Sequence, residues 1–384
     1  MYIHRQAESS LRRYLNAFPV VGLTGPRQSG KSTLLRHCLP DYEYITFDLE
    51  RNVRDFDNDP EGFLRAHNHH VIFDEVQFVP KLFNAIKVLV DNNREEYGQF
   101  VMTGSSQFGF LQSVSESLAG RIGLMTLLPL QYEEVPKALQ EESVYQGSYP
   151  ELVLKNYKDA DFWYDAYMDT YLSKDVRAIT NIGDLRDFRR LVQLLASNTS
   201  QVLDMSYYAR DIGVSLPTIK RWVSVLEASY IIFLLPPFHS NLGKRIVKRP
   251  KIYFHDTGLV SHLTGIRSYD MYDQGPLAGA LFENHVIANV VKSMKHHALS
   301  AELYYLQTQD KAEVDLIVNW KQSCDYLEIK KSGSYQPKMA SHIKRYAGES
   351  DRKVILYNGE RFNAAAVEVM PYQDYLAELS ARKR

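Results

Sequence analysis

The sequence predicts an α/β protein: a parallel-sheet core, a mostly helical middle, and a second α/β unit at the C-terminal end. Three observations carry this. Short apolar runs alternate with helix-length segments through the first third, which is the signature of βαβ units. Apolar residues then fall at helical spacing through the middle. Short strand candidates return in the last third and bracket a set of acids.

In the first third, Val20 to Thr24, Tyr44 to Asp48, Val71 to Asp74, Gln99 to Thr103 and Ile122 to Leu128 read as buried strands. The alternation stops near Pro129 to Pro136. In the middle, Tyr164, Tyr167, Met168 and Tyr171 fall at i, i+3, i+4 and i+7, as do Phe188, Leu191, Val192 and Leu195. Such stripes predict core rather than a cofactor contact. Ser206–Ile212, a turn at Gly213-Val214-Ser215 and a helix from Leu216 to about Ser229 have helix-turn-helix spacing. Tyr230–Leu235 and Lys251–Phe254 follow as a β-ribbon, and Asp256-Thr257-Gly258 reads as the turn closing it. A helix from about Gly279 to Met294 opens the last third. Strand candidates follow at Leu303–Leu306, Glu313–Val318, Tyr326–Lys330 and Lys353–Tyr357, with a helix over Pro337–Ala347 and one after Pro371. The expected domains are 1–136, 137–270 and 271–384.

Composition agrees with this organisation. A chain of 384 residues suggests two or three domains at roughly 150 residues each. Its 45% hydrophobic and 24% charged residues exclude disorder as the main state. The net charge of −1 gives no whole-chain signal for a polyanionic partner, so any nucleic-acid surface has to be a local patch. Cys38 and Cys324 cannot build a disulfide framework or a four-thiolate zinc site, and a reducing, cytoplasmic setting is expected. The longest apolar run, about Tyr230 to Phe238, is broken by Pro236 and Pro237 and falls short of the ~20 residues of a membrane span. No membrane association is expected.

The strongest motif is Gly25-Pro26-Arg27-Gln28-Ser29-Gly30-Lys31-Ser32, followed by Thr33. It fits G-x-x-x-x-G-K-[ST] between a strand and a helix. The glycines let backbone N–H groups curl around phosphates, Lys31 reaches the β- and γ-phosphates, and Ser32 ligates Mg²⁺. ATP and Mg²⁺ are therefore the expected cofactors. Val71-Ile72-Phe73-Asp74-Glu75 is an apolar strand ending in two acids. Asp74 is placed to hold the ion, and Glu75 to polarise an attacking water. The third strand ends at Thr103-Gly104-Ser105-Ser106 and is expected between the other two. Thr103 or Ser105 then touches the γ-phosphate or the water, or else the cluster only caps the next helix. Arg121 is either an arginine finger toward a neighbouring subunit's nucleotide or part of a surface salt bridge. His67, His69 and His70 sit in a polar loop without matching ligands and read as solvent-exposed.

With these motifs the chain resembles the AAA-family ATPases of bacteria and archaea that carry a C-terminal domain of unknown function. The resemblance rests on GPRQSGKST (25–33), VIFDEVQ (71–77), TGSS (103–106), SLAGR (117–121) and GSYPE (147–151). It continues through TYLSKDVR (170–177), KRPKIYFHDTGL (248–259), FENHV (282–286), EVDL (313–316) and EIK (328–330). It implies an AAA-type P-loop core, a helical and winged-helix middle, and a C-terminal domain with a restriction-endonuclease-like fold.

The helix-turn-helix segment is a candidate nucleic-acid reader. Ile219, Trp222, Val223 and Leu226 form one buried face, while Thr218, Lys220 and Arg221 point outward. The ribbon carries Lys244, Arg245, Lys248, Arg249 and Lys251, and no acid occurs from Ala228 to His255. That is a footprint for phosphate contact, with DNA the expected nucleic acid, or for a partner subunit's acids if the winged helix is a lid. In the last third, period 2 puts Glu313 with Asp315, and Glu328 with Lys330, on single strand faces. If these strands pair, the result is the D…E-x-K arrangement of Mg²⁺-dependent nucleases. Asp315 and Glu328 then bind the metal, Lys330 stabilises charge, and Glu283 adds a ligand. The leading expectation is an ATPase, forming a homo-oligomer, whose nucleotide state governs a nucleic-acid-binding and nucleolytic half. The alternative is a regulatory switch whose C-terminal domain is inactive and binds a protein.

Overall fold

The computed structural model describes residues 2–104, 110, 114, 116–171, 185–238 and 247–382. Ser105, Lys244 and Arg245 lie outside the described residues, as does most of TYLSKDVR. Two compact units are present. The first holds Met1–Leu130 with Ala228–Tyr230 and Lys295–Ala298. The second holds Gln131–Glu227, Ile231–Met294 and Leu299–Arg384. Among the described residues no helix is long and apolar enough to cross a membrane.

The first unit is a five-stranded parallel sheet, β1 (Val20–Thr24), β2 (Glu43–Thr46), β3 (Val71–Asp74), β4 (Phe100–Thr103) and β5 (Ile122–Thr126), in the order β2-β3-β4-β1-β5. β4 lies between β3 and β1, as the sequence predicts. The three central strands are buried on both faces, hence their continuous apolar runs. Strand alternation sorts their side chains cleanly. Val71, Phe73, Phe100 and Met102 pack with Leu82, Phe83 and Ile86 of the helix Lys81–Asn92. Ile72, Val101, Val21 and Leu23 pack with Leu11 of Ala7–Leu15 and with Leu34 and Leu35 of Lys31–Cys38. Each such buried side chain contributes about 1.5–3 kcal/mol.

The second unit joins the helical middle to a mixed sheet. Its strands are β8 (Glu302–Gln307), β9 (Glu313–Asn319), β10 (Cys324–Ile329), β11 (Arg352–Tyr357), β12 (Phe362–Ala364) and β13 (Val367–Pro371), in the order β12-β13-β11-β10-β9-β8. β9 and β10 form an antiparallel hairpin, with Leu316 opposite Leu327. β12 and β13 have no counterpart in the sequence reading, because they are short and the intervening Ala365 and Ala366 adopt positive φ without a glycine signal. The helices Met205–Ile212 and Leu216–Ala228 flank Gly213, whose left-handed backbone ends the first of them. Ile219, Trp222, Val223 and Leu226 are buried as expected. β6 (Ile232–Leu235) and β7 (Lys251–Phe254) then pair antiparallel.

One local reading is corrected. Asp256-Thr257-Gly258 is not a simple turn; Asp256 caps the helix Thr257–Thr264, and its carboxylate accepts from Leu259 N at 3.1 Å. The same carboxylate accepts from Ser148 N at 2.7 Å and Tyr164 Oη at 2.6 Å. Lys292 Nζ donates to Ser148 Oγ at 2.6 Å. Two of the motifs, GSYPE and HDTGL, thus meet at one buried polar hub. A local window shows the cap signature but not these long-range partners.

His285, buried on the helix Ala278–His296, makes edge contacts with Tyr132 and Tyr372. Burial, then the nearby Lys292 charge, pushes its pKa down to about 3. The neutral ring is thus the folded form, and stability is lost as pH falls below the ordinary value near 6.5. The expected slope from this group approaches about 1.4 kcal/mol per pH unit. From pH 7.5 to 5 the melting temperature of the native protein is expected to lose ground against that of His285→Gln, whatever the other titrating groups contribute to both. Equal slopes would remove His285 from this role.

Candidate nucleotide and metal sites

The loop Gly25–Gly30 joins the end of β1 to the helix Lys31–Cys38, at the sheet edge where parallel α/β folds hold ligands. Its shape requires glycine. Gly25 has φ 143°, and a Cβ there would lie 2.1 Å from Leu127 O. Gly30 has φ 92° at the helix N-terminus. Lys31 is buried, and its Nζ donates to Gly25 O at 3.0 Å and Pro26 O at 2.9 Å. Arg5 staples the loop from outside the motif, donating to Ser29 O at 2.8 Å and Leu128 O at 2.7 Å. Nothing in the sequence pattern announces that role.

Three hydroxyls converge on buried Asp74. Ser32 Oγ donates to it at 3.0 Å, and Thr103 Oγ1 and Tyr44 Oη also donate to it. Ser32 and Asp74, both expected at a magnesium ion, therefore touch. Ser29 Oγ is buried and has no hydrogen-bond partner among the described residues. An orphan hydroxyl under the loop and a hydroxyl–carboxylate pair beside it fit a phosphate and a hard cation. Sequence reasoning missed Tyr44; its one available signal is a tyrosine on the strand next to β3.

Glu75 follows β3 with a left-handed backbone, φ 57° and ψ 45°. Such a conformation costs a non-glycine residue about 1–3 kcal/mol and concentrates at functional sites. Its N–H donates to Thr103 Oγ1 at 3.4 Å, and its carboxylate accepts from Gln77 Nε2. Thr103 thus touches the Asp74 carboxylate and the main chain of Glu75. Arg121 is engaged inside its own chain: Nε and Nη2 meet the Asp91 carboxylate at 2.7 and 2.9 Å. The hydrogen bonds from Arg121, then Arg94, draw the Asp91 pKa down to about 2. This is the salt-bridge alternative for Arg121, with the fork geometry that guanidinium favours. His67 bonds Glu43 at 2.8 Å, while His69 and His70 are exposed.

In the second unit, all four expected residues of the acidic site converge. Asp315 accepts from Ile329 N at 2.7 Å, and Lys330 Nζ lies 3.4 Å from Asp315 and 2.7 Å from Glu328. Ligand atoms of Glu283, Glu313 and Asp315 all lie within 4.8 Å of one another. Burial, then Asp315, pushes Glu328 up to about 8. Burial pushes Glu283 up to about 7, although Lys251 opposes it. Glu328 Oε2 is buried without a hydrogen-bond partner among the described residues. Buried carboxylates with an orphan oxygen fit a hard divalent cation.

The basic footprint is smaller than the sequence suggests. Lys220, Arg221 and Lys248 are exposed, and exposed Arg249 pairs with Asp204 at 2.5 Å. Lys251, grouped by sequence with the outward-facing cations, is only 2% exposed. Its Nζ meets Glu283 at 3.0 Å and also pairs with Glu313. The correction has a simple cause: the absence of acids nearby in sequence says nothing about acids brought in from another helix and strand.

Residues 17–136 match a family model described as an AAA domain, so the first unit carries a P-loop ATPase domain of that class. Residues 137–270 and 278–375 match two models described as domains of unknown function, DUF8612 and DUF4143. The chain is 32% identical over 359 residues to uncharacterized protein Rv2008c of Mycobacterium tuberculosis, covering 93% of this chain and 80% of that protein. The figures are the same for uncharacterized protein Mb2031c of Mycobacterium bovis. The chain belongs to the same family as these two mycobacterial proteins. Among solved structures, the Walker-type ATPase paby2304 of Pyrococcus abyssi is 14% identical with a TM-score of 0.49, covering 68% of this chain and 96% of that one.

Proposed function

We propose that the protein is a Mg²⁺-dependent ATPase whose nucleotide state governs a nucleic-acid-binding second unit with a nucleolytic metal site. The observation that carries the ATPase reading is the contact of Ser32 with Asp74 beside the glycine-shaped loop. In this reading, loop N–H groups and Lys31 hold the phosphates. Ser32 and Asp74 hold magnesium, which neutralises phosphate charge when bound. Glu75 takes a proton from water, and Thr103 orients both acids. Lys31→Ala is expected to lower ATP affinity at least 100-fold, read by equilibrium binding of labelled ATP. Native-like affinity in that variant removes Lys31 from the site.

The second unit's role rests on buried Asp315 and Glu328 beside half-buried Glu283 and Lys330, with a Glu328 oxygen that has no hydrogen-bond partner among the described residues. In this reading Asp315 and Glu328 bind the ion, Glu283 adds a ligand, and Lys330 stabilises developing charge. The helix-turn-helix would act as a winged helix, with Lys220, Arg221 and Lys248 meeting phosphates. A second reading is favoured by the internal position of Lys251 and the Arg249–Asp204 pair, which shrink the basic face. There the second unit takes a protein partner and ATP sets homo-oligomeric assembly. The discriminating measurement is ATP turnover with and without duplex, single-stranded and branched nucleic acids. Stimulation and cutting in Mg²⁺ or Mn²⁺ support the first reading; unchanged turnover and intact substrates support the second.

A further inference from the structure

We propose that Lys251 is a tethered cation that fills the place of a second metal, so that the acidic site takes one divalent ion rather than two. This rests on the reading of that cluster as a metal site and changes one role in it: Glu283 holds Lys251 rather than the ion.

The geometry has two lobes. In one, Lys251 Nζ lies 3.0 Å from Glu283 and pairs with Glu313. In the other, Lys330 lies 2.7 Å from Glu328 and 3.4 Å from Asp315. Asp315 joins the lobes: it contacts Lys330, and its ligand atom lies within 4.8 Å of those of Glu283 and Glu313. Two-metal sites have this layout, with ions roughly 3.5–4 Å apart and carboxylates on both sides. Here each lobe holds an ammonium, but the Lys251 side chain is 2% exposed and that of Lys330 38%, so Lys330 can swing toward solvent to admit an ion while Lys251 stays in the Glu283–Glu313 lobe.

Charge gives the same count. Glu283, Glu313, Asp315 and Glu328 supply four carboxylates; Lys251 and Lys330 supply two ammonium groups. A bound ion displaces protons from these carboxylates, and with all six groups ionised two negative charges remain, the complement of one divalent ion. A buried site is costly unless its charge is compensated, so this balance favours one divalent ion over two while Lys251 is present. Glu328 Oε2, buried and without a hydrogen-bond partner among the described residues, marks where the ion is still needed.

Lys251 is held in place. It sits on β7, paired with β6, and its Nζ lies 5.6 Å from the Tyr305 ring centroid. Tyr253, two residues on and on the same strand face, donates to Glu283 at 2.6 Å. The β-ribbon therefore supplies both the cation and the hydroxyl that orient one ligand. A purely structural ion pair would make no difference to metal stoichiometry, and that separates the two roles.

The test is Mn²⁺ binding to nucleotide-free full-length protein by calorimetry and electron paramagnetic resonance. The native protein is expected to bind one Mn²⁺ per chain in the second unit, and Lys251→Met two. In Lys251→Met the paired ions are expected to broaden each other's resonance signal. Lys251→Arg, which keeps the charge, is expected to bind one. One Mn²⁺ with unchanged affinity in Lys251→Met overturns the proposal but leaves the metal site standing. No Mn²⁺ bound by the native protein overturns the metal reading itself. If Lys251→Met does not fold in metal-free buffer, recovery of its circular dichroism in millimolar Mn²⁺ supports the proposal. Failure to recover overturns it.

Discussion

Glu75→Gln keeps ATP affinity within about threefold of the native protein and loses about 10²–10⁴-fold in turnover, the contribution of a positioned general base. The substitution preserves shape, so the left-handed turn after β3 and the N–H contact to Thr103 should survive. It removes the group that accepts a proton. The phosphate-holding groups, Lys31 and the loop amides, do not depend on it. A loss of turnover with retained affinity is the signature of an interaction made only in the transition state. The checks are single-turnover hydrolysis and equilibrium binding on the same preparation. Native turnover in Glu75→Gln would take the base role away from this residue.

Asp315→Ala is the second large effect. Asp315 is buried, accepts the Ile329 N–H at 2.7 Å, and faces Lys330. Removing it orphans a buried backbone donor, which costs about 1–3 kcal/mol. It also deletes the carboxylate common to both lobes of the site, so Mn²⁺ affinity is expected to fall at least 100-fold. Asp315→Asn separates the effects. The amide oxygen can still accept from Ile329, so stability should largely return while metal affinity stays low. Native Mn²⁺ affinity in both variants would contradict the assignment of Asp315.

The parts of this architecture written in local pattern were legible. β1 and β3 could be bounded from apolar runs buried on both faces, and the place of β4 between them followed from the P-loop motif. Glu328 and Lys330 were brought to Asp315 by strand period and a short hairpin, both readable in sequence. What escaped is long-range. Arg5 reaches Ser29 from a preceding helix entry, Tyr44 reaches Asp74 across a sheet, and Lys251 reaches Glu283 from the ribbon. No periodicity encodes such meetings. Lys251 was misread in sign of environment, since a basic stretch looks solvent-facing until the fold supplies buried acids. Asp256 was misread in scale, because its partners Ser148 and Tyr164 lie far away in sequence. Glu313 shares a strand face with Asp315, and that spacing was the signal for its place beside Glu283.

In the proposed ATPase reading, the loop before Lys31 holds ATP for hydrolysis with magnesium. The most direct measurement is steady-state phosphate release from ATP by the native protein and Lys31→Ala, each with Mg²⁺ and with excess chelator. Turnover is expected only for the native protein with Mg²⁺. Equal phosphate release by Lys31→Ala, or by the native protein in chelator, would contradict it.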